Sequence, residues 1–448
     1  MFELTKEYIE ELKEFILVED EAKALEMIAP LHASDIANIY DSLTLDEAKF
    51  LYLLLDSKMA SDVLIELDED DRKKLLKALP SELIAKQFID NMESDDAADI
   101  LGEMEEERQE EILSHINDLD QAGDIVDLLH YEDDSAGGMM GKEYIAVNAE
   151  WSMPTCIEEV RKQSEDVKEI YYVYVVDDAH ILKGVLPLKK LITSPSVSKV
   201  KHIMMTDLVT VQPYMDNEEV AQVIEKYDLI AVPVVDSIGR LIGRITVDDV
   251  VDVIREEAEK DYQLASGITD DVESGDSVAK LTRARLPWLL IGLLGGVLSA
   301  HVLGLFEGNL GEHPILAAFV PLIAAMGGNV GIQSSAIVVK GLASNLIEMR
   351  GSFQKIIKEI SVALVNAIIL AMVIYVVTYI WLDDMALTYS VSISLFSVVI
   401  FAAIFGTTIP LILNRFKIDP ALATGPFITT ANDIFGLFIY LYISTIFY

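Results

Sequence analysis

One acidic side chain, Asp433, stands deep within the apolar stretch Ala421–Phe447, about a dozen residues from either end. A carboxylate at such a depth costs about 2.5–3.5 kcal/mol on insertion scales, so by default it is functional and faces a cavity or a partner. Thr429, Thr430 and Asn432 lie within about one turn of it and give it polar company. The competing reading is a protonated Asp433 that hydrogen-bonds a neighbouring helix. A second acid, Glu359, opens another apolar stretch, but Lys358 beside it allows a plain snorkelling pair near the interface. In Gly327-Gly328-Asn329-Val330-Gly331-Ile332-Gln333-Ser334-Ser335, Asn329 and Gln333 are four apart and share a helical face. That segment either lines a pathway or packs closely on a neighbour, since small residues let backbones approach. Gly292-Leu293-Leu294-Gly295-Gly296 reads as packing. The chemistry open to these residues is weak, escapable holding of a cation, which is what a pore needs.

The other acids gather at the opposite end of the chain. The net charge is −40, and after Lys280 eight acidic residues are balanced by eight basic ones, so the whole excess belongs to the first 280 residues. A body with that excess strains against itself unless cations neutralise it. Nucleic acid and anionic lipid are poor partners for it. Asp95 and Asp99 are four apart and share a face, and Asp249, Asp252 and Glu256 recur at helical spacing, as do Glu257 and Asp261. Any one acidic helix face is ordinarily only solvated. The single cysteine, Cys156, leaves no intramolecular disulfide or cysteine zinc cluster and is expected to be buried as a small apolar side chain.

Five apolar stretches are long enough to span a membrane: Leu286–Phe306, Ile315–Val339, Ile356–Trp381, Val391–Leu413 and Ala421–Phe447. Arg283 and Arg285 precede the first. Lys340, Arg350, Lys355 and Lys358 surround the second connection, and Arg415 and Lys417 lie in the fourth. The alternate connections carry no Lys or Arg. Positive charge therefore alternates, which puts the N-terminus in the cytoplasm and the C-terminus outside a multi-pass cell (inner) membrane protein. The absence of a basic segment followed by an apolar one at the N-terminus agrees with this.

Residues 1 to about 130 show apolar periodicity of three and four with little Gly or Pro, hence helices. Ser34-Asp35-Ile36, Ser61-Asp62-Val63, Ala98-Asp99-Ile100 and Gly123-Asp124-Ile125 form a degenerate repeat in which each Asp is expected to cap a short helix of a superhelical array. From about Asp134 the texture becomes strand–helix–strand. Tyr171–Val176 and Gly184–Pro187 are echoed about 60 residues later by Ala231–Asp236 and Gly239–Thr246, and Met139-Met140 and Met204-Met205 open the two copies. This tandem resembles a pair of cystathionine-β-synthase (CBS) domains, which implies sensing of a small ligand, often ATP or another adenosine nucleotide. Gly243, Thr246 and Asp249 match the module's ending, where Thr246 and Asp249 would contact a ribose. The first copy has Pro187, Lys189 and Lys190 there instead.

Taken whole, the chain resembles the MgtE family of magnesium channels. The motifs that carry this are Arg285-Leu286-Pro287-Trp288-Leu289, Gly327–Ser334, Asp419-Pro420-Ala421-Leu422 and Pro426–Leu437. The fold implied is multidomain, α plus α/β plus an all-α membrane part. It has an N-terminal helical superhelix (1–132), a tandem CBS pair (133–200 and 201–254), a connecting helix (255–282) and five transmembrane helices (283–448). The resemblance further implies a homodimer in membrane lipid, no enzymatic activity, and a pore on the two-fold axis. There Asp433, supported by Asn432, Thr429, Thr430 and Asn329, holds hydrated Mg2+. It implies regulatory metal ligands at Asp95, Asp99, Asp216, Glu218, Asp228, Asp249, Asp252 and Glu257, through which cytosolic Mg2+ shuts the pore. Lys260 and Gly425 stand where some relatives carry an acid and an Asn. The physics agrees, because magnesium dehydrates reluctantly and is commonly held by one or two carboxylates through retained water. Two carboxylates about 6 Å apart repel by about 3 kcal/mol at an effective dielectric of 20, so several pairs bias a gate.

The rival classes fare less well. No Gly-x-x-x-x-Gly-Lys-Ser/Thr is present, since Gly141-Lys142 is followed by Glu143 and led by Ala136. An intramembrane aspartyl protease needs two deep aspartates. An ion-coupled transporter of Mg2+ or another divalent such as Co2+, and a nucleotide-modulated membrane sensor, remain the alternatives.

Overall fold

The computed structural model describes residues 4–448 except 41, 166, 270–271, 273–275, 344–351 and 424, and likewise leaves aside the side chains of 343, 352–356 and 423. Arg350 and the Lys355 side chain, both used above to orient the spans, lie outside the described residues. The chain divides into two compact units, 1–255 and 256–448.

The first unit begins with ten short α-helices among the described residues, from α1 (Lys6–Leu17) to α10 (Leu119–Leu128), with α5 at Ser57–Ile65 and α8 at Ser94–Gly102. The repeat noted in the sequence marks their core. Ile36, Val63, Ile100 and Ile125 are all essentially without solvent exposure. The expected capping role of its aspartates is corrected, however. Asp62, Asp99 and Asp124 lie inside α5, α8 and α10, while the capping side chains are Asp56 and Asp118, whose carboxylates accept from Met59 N and Gln121 N. The polar–Asp–Ile pattern therefore records helical phase, with Ile inward and Asp beside it, rather than a helix start.

Two α/β modules follow. Strand β1 (Ile145–Asn148) runs parallel to β2 (Tyr172–Val176), which pairs antiparallel with β3 (Leu182–Pro187); α11 (Met153–Gln163) joins β1 to β2 and α12 (Leu188–Thr193) follows β3. In the second copy α13 (Asn217–Tyr227) precedes the antiparallel pair β4 (Ala231–Val235) and β5 (Leu241–Thr246). Cys156 is fully buried in the first module's core. Helix α14 (Val247–Ala265) grows directly out of β5, so the helix that enters the connecting region 255–282 starts within the second module and ends at Ala265. Thr246 and Asp249 explain the earlier start. The Asp249 carboxylate accepts from Thr246 N (3.1 Å) and Thr246 Oγ1 (2.7 Å), closing the first turn.

Among the described residues the second unit holds five helices long and apolar enough to cross a membrane: α15 (Val278–Leu305), α17 (Val320–Ala343), α18 (Ser352–Trp381), α19 (Met385–Arg415) and α20 (Gly425–Phe447), with the short α16 (Glu307–Glu312) after the first. Arg283 and Arg285 lie inside α15, because Ser277 caps it two turns before the apolar run. Helix α19 is the hub: Leu387, Val391, Val398, Val399 and Ala402 are all fully buried in it. Mean hydropathy falls to 1.3 in α20, the lowest of the five. The cause is its run Thr429-Thr430-Ala431-Asn432-Asp433.

Candidate functional site

Helix α20 turns these polar side chains to different neighbours, as about 100° per residue requires. Thr430 packs against α15, where a Cβ on Gly295 would stand 1.9 Å from Thr430 Cγ2. Thr429 donates to the Gly425 carbonyl in its own helix at 2.9 Å. Asn432 is 1% exposed and faces α17, where a Cβ on Gly331 would lie 2.0 Å from Asn432 Nδ2. Neither amide atom of Asn432 has a hydrogen-bond partner among the described residues. Such an unmet buried polar group costs about 1–3 kcal/mol. Asp433 itself is half-buried and has neither a hydrogen bond nor an ion pair among the described residues. The reading of Asp433 as a group bonded to a neighbouring helix thus finds no partner there.

Helix α17 separates its two characters by face. Gly327, Gly331, Ser334 and Ser335 are buried, whereas Asn329, Ile332, Gln333, Ala336 and Ile337 are exposed on the second unit. Small residues therefore do the packing and the two amides face outward. Asn329 makes no hydrogen bond to Asp433 among the described residues. Nor does Glu359 form a pair with Lys358 there. It accepts from the buried Ser334 Oγ at 2.9 Å, tying α18 to α17 behind the amide-bearing face.

In the first unit, helix α8 brings Asp95 and Asp99 up against the second α/β module. Ser94 N and Oγ both donate to the Glu143 carboxylate (2.9 and 3.0 Å), and Ser94 Oγ accepts from Lys142 N. Asp95 stands beside them: a Cβ on Gly141 would lie 2.9 Å from Asp95 Oδ2 and 3.4 Å from Glu143 Oε2. The result is a knot of acids from three segments, Glu93, Asp95, Asp96 and Asp99, then Glu143, then Asp249. Loss of solvent, then Asp96, Asp249, Glu143 and Glu93, push the Asp95 carboxyl far above its ordinary range. Burial, with Asp249, Glu93 and Glu143, raises Asp96 to about 7 against the pull of Lys168. Burial raises Asp249 to about 6 although Thr246 opposes it, with Asp248 and Glu93 adding to the rise. Asp99 reaches the surface, yet the protein packed about its carboxyl, and then Asp96 and Asp133, raise it as well. A buried cation pairs with this knot. Arg244, 6% exposed, pairs with Glu93 at 3.2 Å and donates to the Glu169 carbonyl at 2.9 Å.

The remaining sequence-derived ligands are spread out. Asp216 caps α13, accepting from Glu218 N at 3.0 Å, and Asp228 terminates the same helix in a left-handed conformation (φ 50°). The 11 residues between them set the two ends about 16 Å apart. Asp252 pairs with Arg255 at 3.4 Å and Glu257 with Lys260 at 2.9 Å. Among the described residues no three His, Cys, Asp or Glu side chains are arranged to hold a metal ion directly. The sequence reading found Asp95, Asp99 and Asp249 but missed Glu93, Asp96, Glu143 and Arg244. Glu93 and Asp96 had a signal, being close to Asp95 in the chain. Glu143 and Arg244 had none, since only the fold brings them there.

Comparison with known proteins adds three matches to family profiles: residues 320–443 to MgtE, a divalent cation transporter family; 31–134 to the MgtE intracellular N domain; and 200–256 to the CBS domain. The magnesium transporter MgtE of Bacillus subtilis (strain 168) is 33% identical over 445 residues, covering 91% of this chain and 98% of its own length. That of Thermus thermophilus is 33% identical over 433 residues and covers 96% of each. Among solved structures, the cytosolic domain of the Mg2+ channel MgtE in complex with ATP is 32% identical with a TM-score of 0.52, over 55% of this chain and 99% of that one. The soluble part of a magnesium transporter is 32% identical with a TM-score of 0.51, over 56% and 99%.

Proposed function

This chain belongs to the MgtE family, and from that premise we propose that it is a magnesium channel, importing Mg2+ down its electrochemical gradient and shut by cytosolic Mg2+. The observation that carries the reading is Asp433, a half-buried carboxylate in mid-span with no partner among the described residues. A carboxylate left unneutralised at that depth suits a passing cation. Its ion is expected to remain hydrated, because magnesium surrenders water reluctantly and needs no inner cage of three ligands. The outward face of α17, with Asn329 and Gln333, supports a homodimer in which two copies enclose the path. Two amides turned to hydrocarbon would otherwise be costly. Domain limits of 1–132, 133–200, 201–254, 255–282 and 283–448, a cytoplasmic N-terminus and an outside C-terminus complete the proposal.

The knot around Asp95, Asp99 and Asp249 supports the gate. Its acids crowd one another where packed protein displaces part of their solvent, so a divalent cation that draws them together offsets their mutual repulsion. Asp216, Glu218, Asp228, Asp252 and Glu257 would then hold further ions on the more open surface. An adenosine nucleotide is proposed at the CBS pair. Thr246 already engages Asp249 Oδ2, which leaves Oδ1 for a ribose hydroxyl, so nucleotide and magnesium would draw on the same side chain. Purified protein in liposomes tests the whole: magnesium currents expected in the wild type and lost in Asp433→Ala. Flux that requires a second ion's gradient would instead identify a coupled transporter.

A further inference from the structure

The buried amide of Asn432 sits where no described residue bonds it, between two helices, one residue before the acid assigned to the pore. It is 1% exposed, and both its amide atoms lack partners among the described residues. It occupies a notch in α17 that exists only because residue 331 has no side chain, since a Cβ there would lie 2.0 Å from Asn432 Nδ2. The same Cβ would lie 2.7 Å from Ile428 Cγ2, one turn earlier on α20, so the notch receives one face of that helix. An apolar side chain would fill such a space without leaving polar atoms unmet. The amide is therefore not explained by packing alone.

We infer that Asn432 is a positioning residue for Asp433, acting as a key in the Gly331 notch that fixes the rotation of α20. Asn432 and Asp433 are consecutive and so point about 100° apart. While the amide is seated in α17, the Asp433 side chain is held off that helix and kept on its half-buried side. Rotating α20 by one residue's angle would drive Asp433 into α17 and take Asn432 out of it. The inference rests on the pore reading of Asp433 and extends it to the residue that aims the carboxylate.

The test is a two-position cycle on the full-length protein in liposomes. Gly331→Ala should cut magnesium flux at least tenfold, and Asn432→Ala in the same chain should return part of it, because the methyl then takes the space the amide has left and has only Ile428 Cγ2 still to displace. Asn432→Ala alone should lower magnesium flux by no more than a few-fold but reduce the preference for Mg2+ over Ca2+ at least threefold, a readout that a loss of mere stability would not move. If the two substitutions act independently, or Asn432→Ala leaves selectivity as in the wild type, the assignment is overturned. Should Gly331→Ala fail to fold, the selectivity of Asn432→Ala still decides. Asp433→Asn in the same assay separates the two levels. Wild-type permeation there would sink the pore reading, whereas a dead Asp433→Asn beside uncoupled 331 and 432 would sink only this one.

Discussion

At the scale of single residues, two charges carry most of the argument, and they differ in whether they are compensated. Asp433 is uncompensated among the described residues, and its removal is expected to abolish magnesium permeation without loss of folded protein. Asp433→Ala should give flux reduced by about two orders of magnitude with an unchanged elution volume; wild-type flux would make the residue structural. Arg244 is the opposite case, a buried cation serving Glu93 and the Glu169 carbonyl. Truncating one partner of such a pair strands the other, at a typical cost of about 3 kcal/mol. Arg244→Ala should therefore lower the thermal transition of the first unit by several degrees in calorimetry, and pairing it with Glu93→Gln should recover part of the loss. No recovery would mean that Arg244 acts through the Glu169 carbonyl instead.

At the scale of elements, the meeting of α8 with the start of α14 makes a pH-dependent joint. A carboxyl whose folded pKa is raised holds its proton more tightly folded than unfolded. Its contribution to stability is complete below the unfolded value, near 3.9, and is lost as pH rises through the folded one. For Asp249 and Asp96 those folded values are about 6 and about 7. Metal-free protein should thus lose thermal stability between about pH 4 and pH 7, and millimolar magnesium should flatten the fall; a level metal-free profile would dissolve the knot. Helix α14 gives a second test. Neutralising Asp249, Asp252 and Glu257 to Ala should move the internal magnesium concentration for half-inhibition upward by about tenfold in patch recordings, with maximal current unchanged. An unmoved midpoint would leave these acids as solvated surface. The same elements mark what the sequence disclosed. The five spans were legible because apolar runs of that length have one use, and Asp433 because depth makes a charge conspicuous. Glu143 and Arg244 were illegible because each is an ordinary charged residue until β5 and α8 come together. The aspartates of the N-terminal repeat misled because a cap and a helix interior share the same three-letter pattern.

At the scale of the whole molecule, segregation of charge predicts how the protein answers salt. The excess of −40 belongs to the first 280 residues, so divalent ions that bridge acids should protect that portion from protease where sodium at matched ionic strength does not. Equal protection by the two salts would mean generic screening. The polar face of α20 has a consequence for synthesis. Asp and Lys at a helix centre each oppose partition into the bilayer by about 2.5–3.5 kcal/mol, and α20 places Asp433 near its middle on a hydropathy of only 1.3. Its entry into the membrane is then marginal for the segment alone. What makes room for it is a socket already lined by Gly295 of α15 and Gly331 of α17. The last span would enter the bilayer as a late act of assembly, with the translocon handing it to helices that have arrived before it.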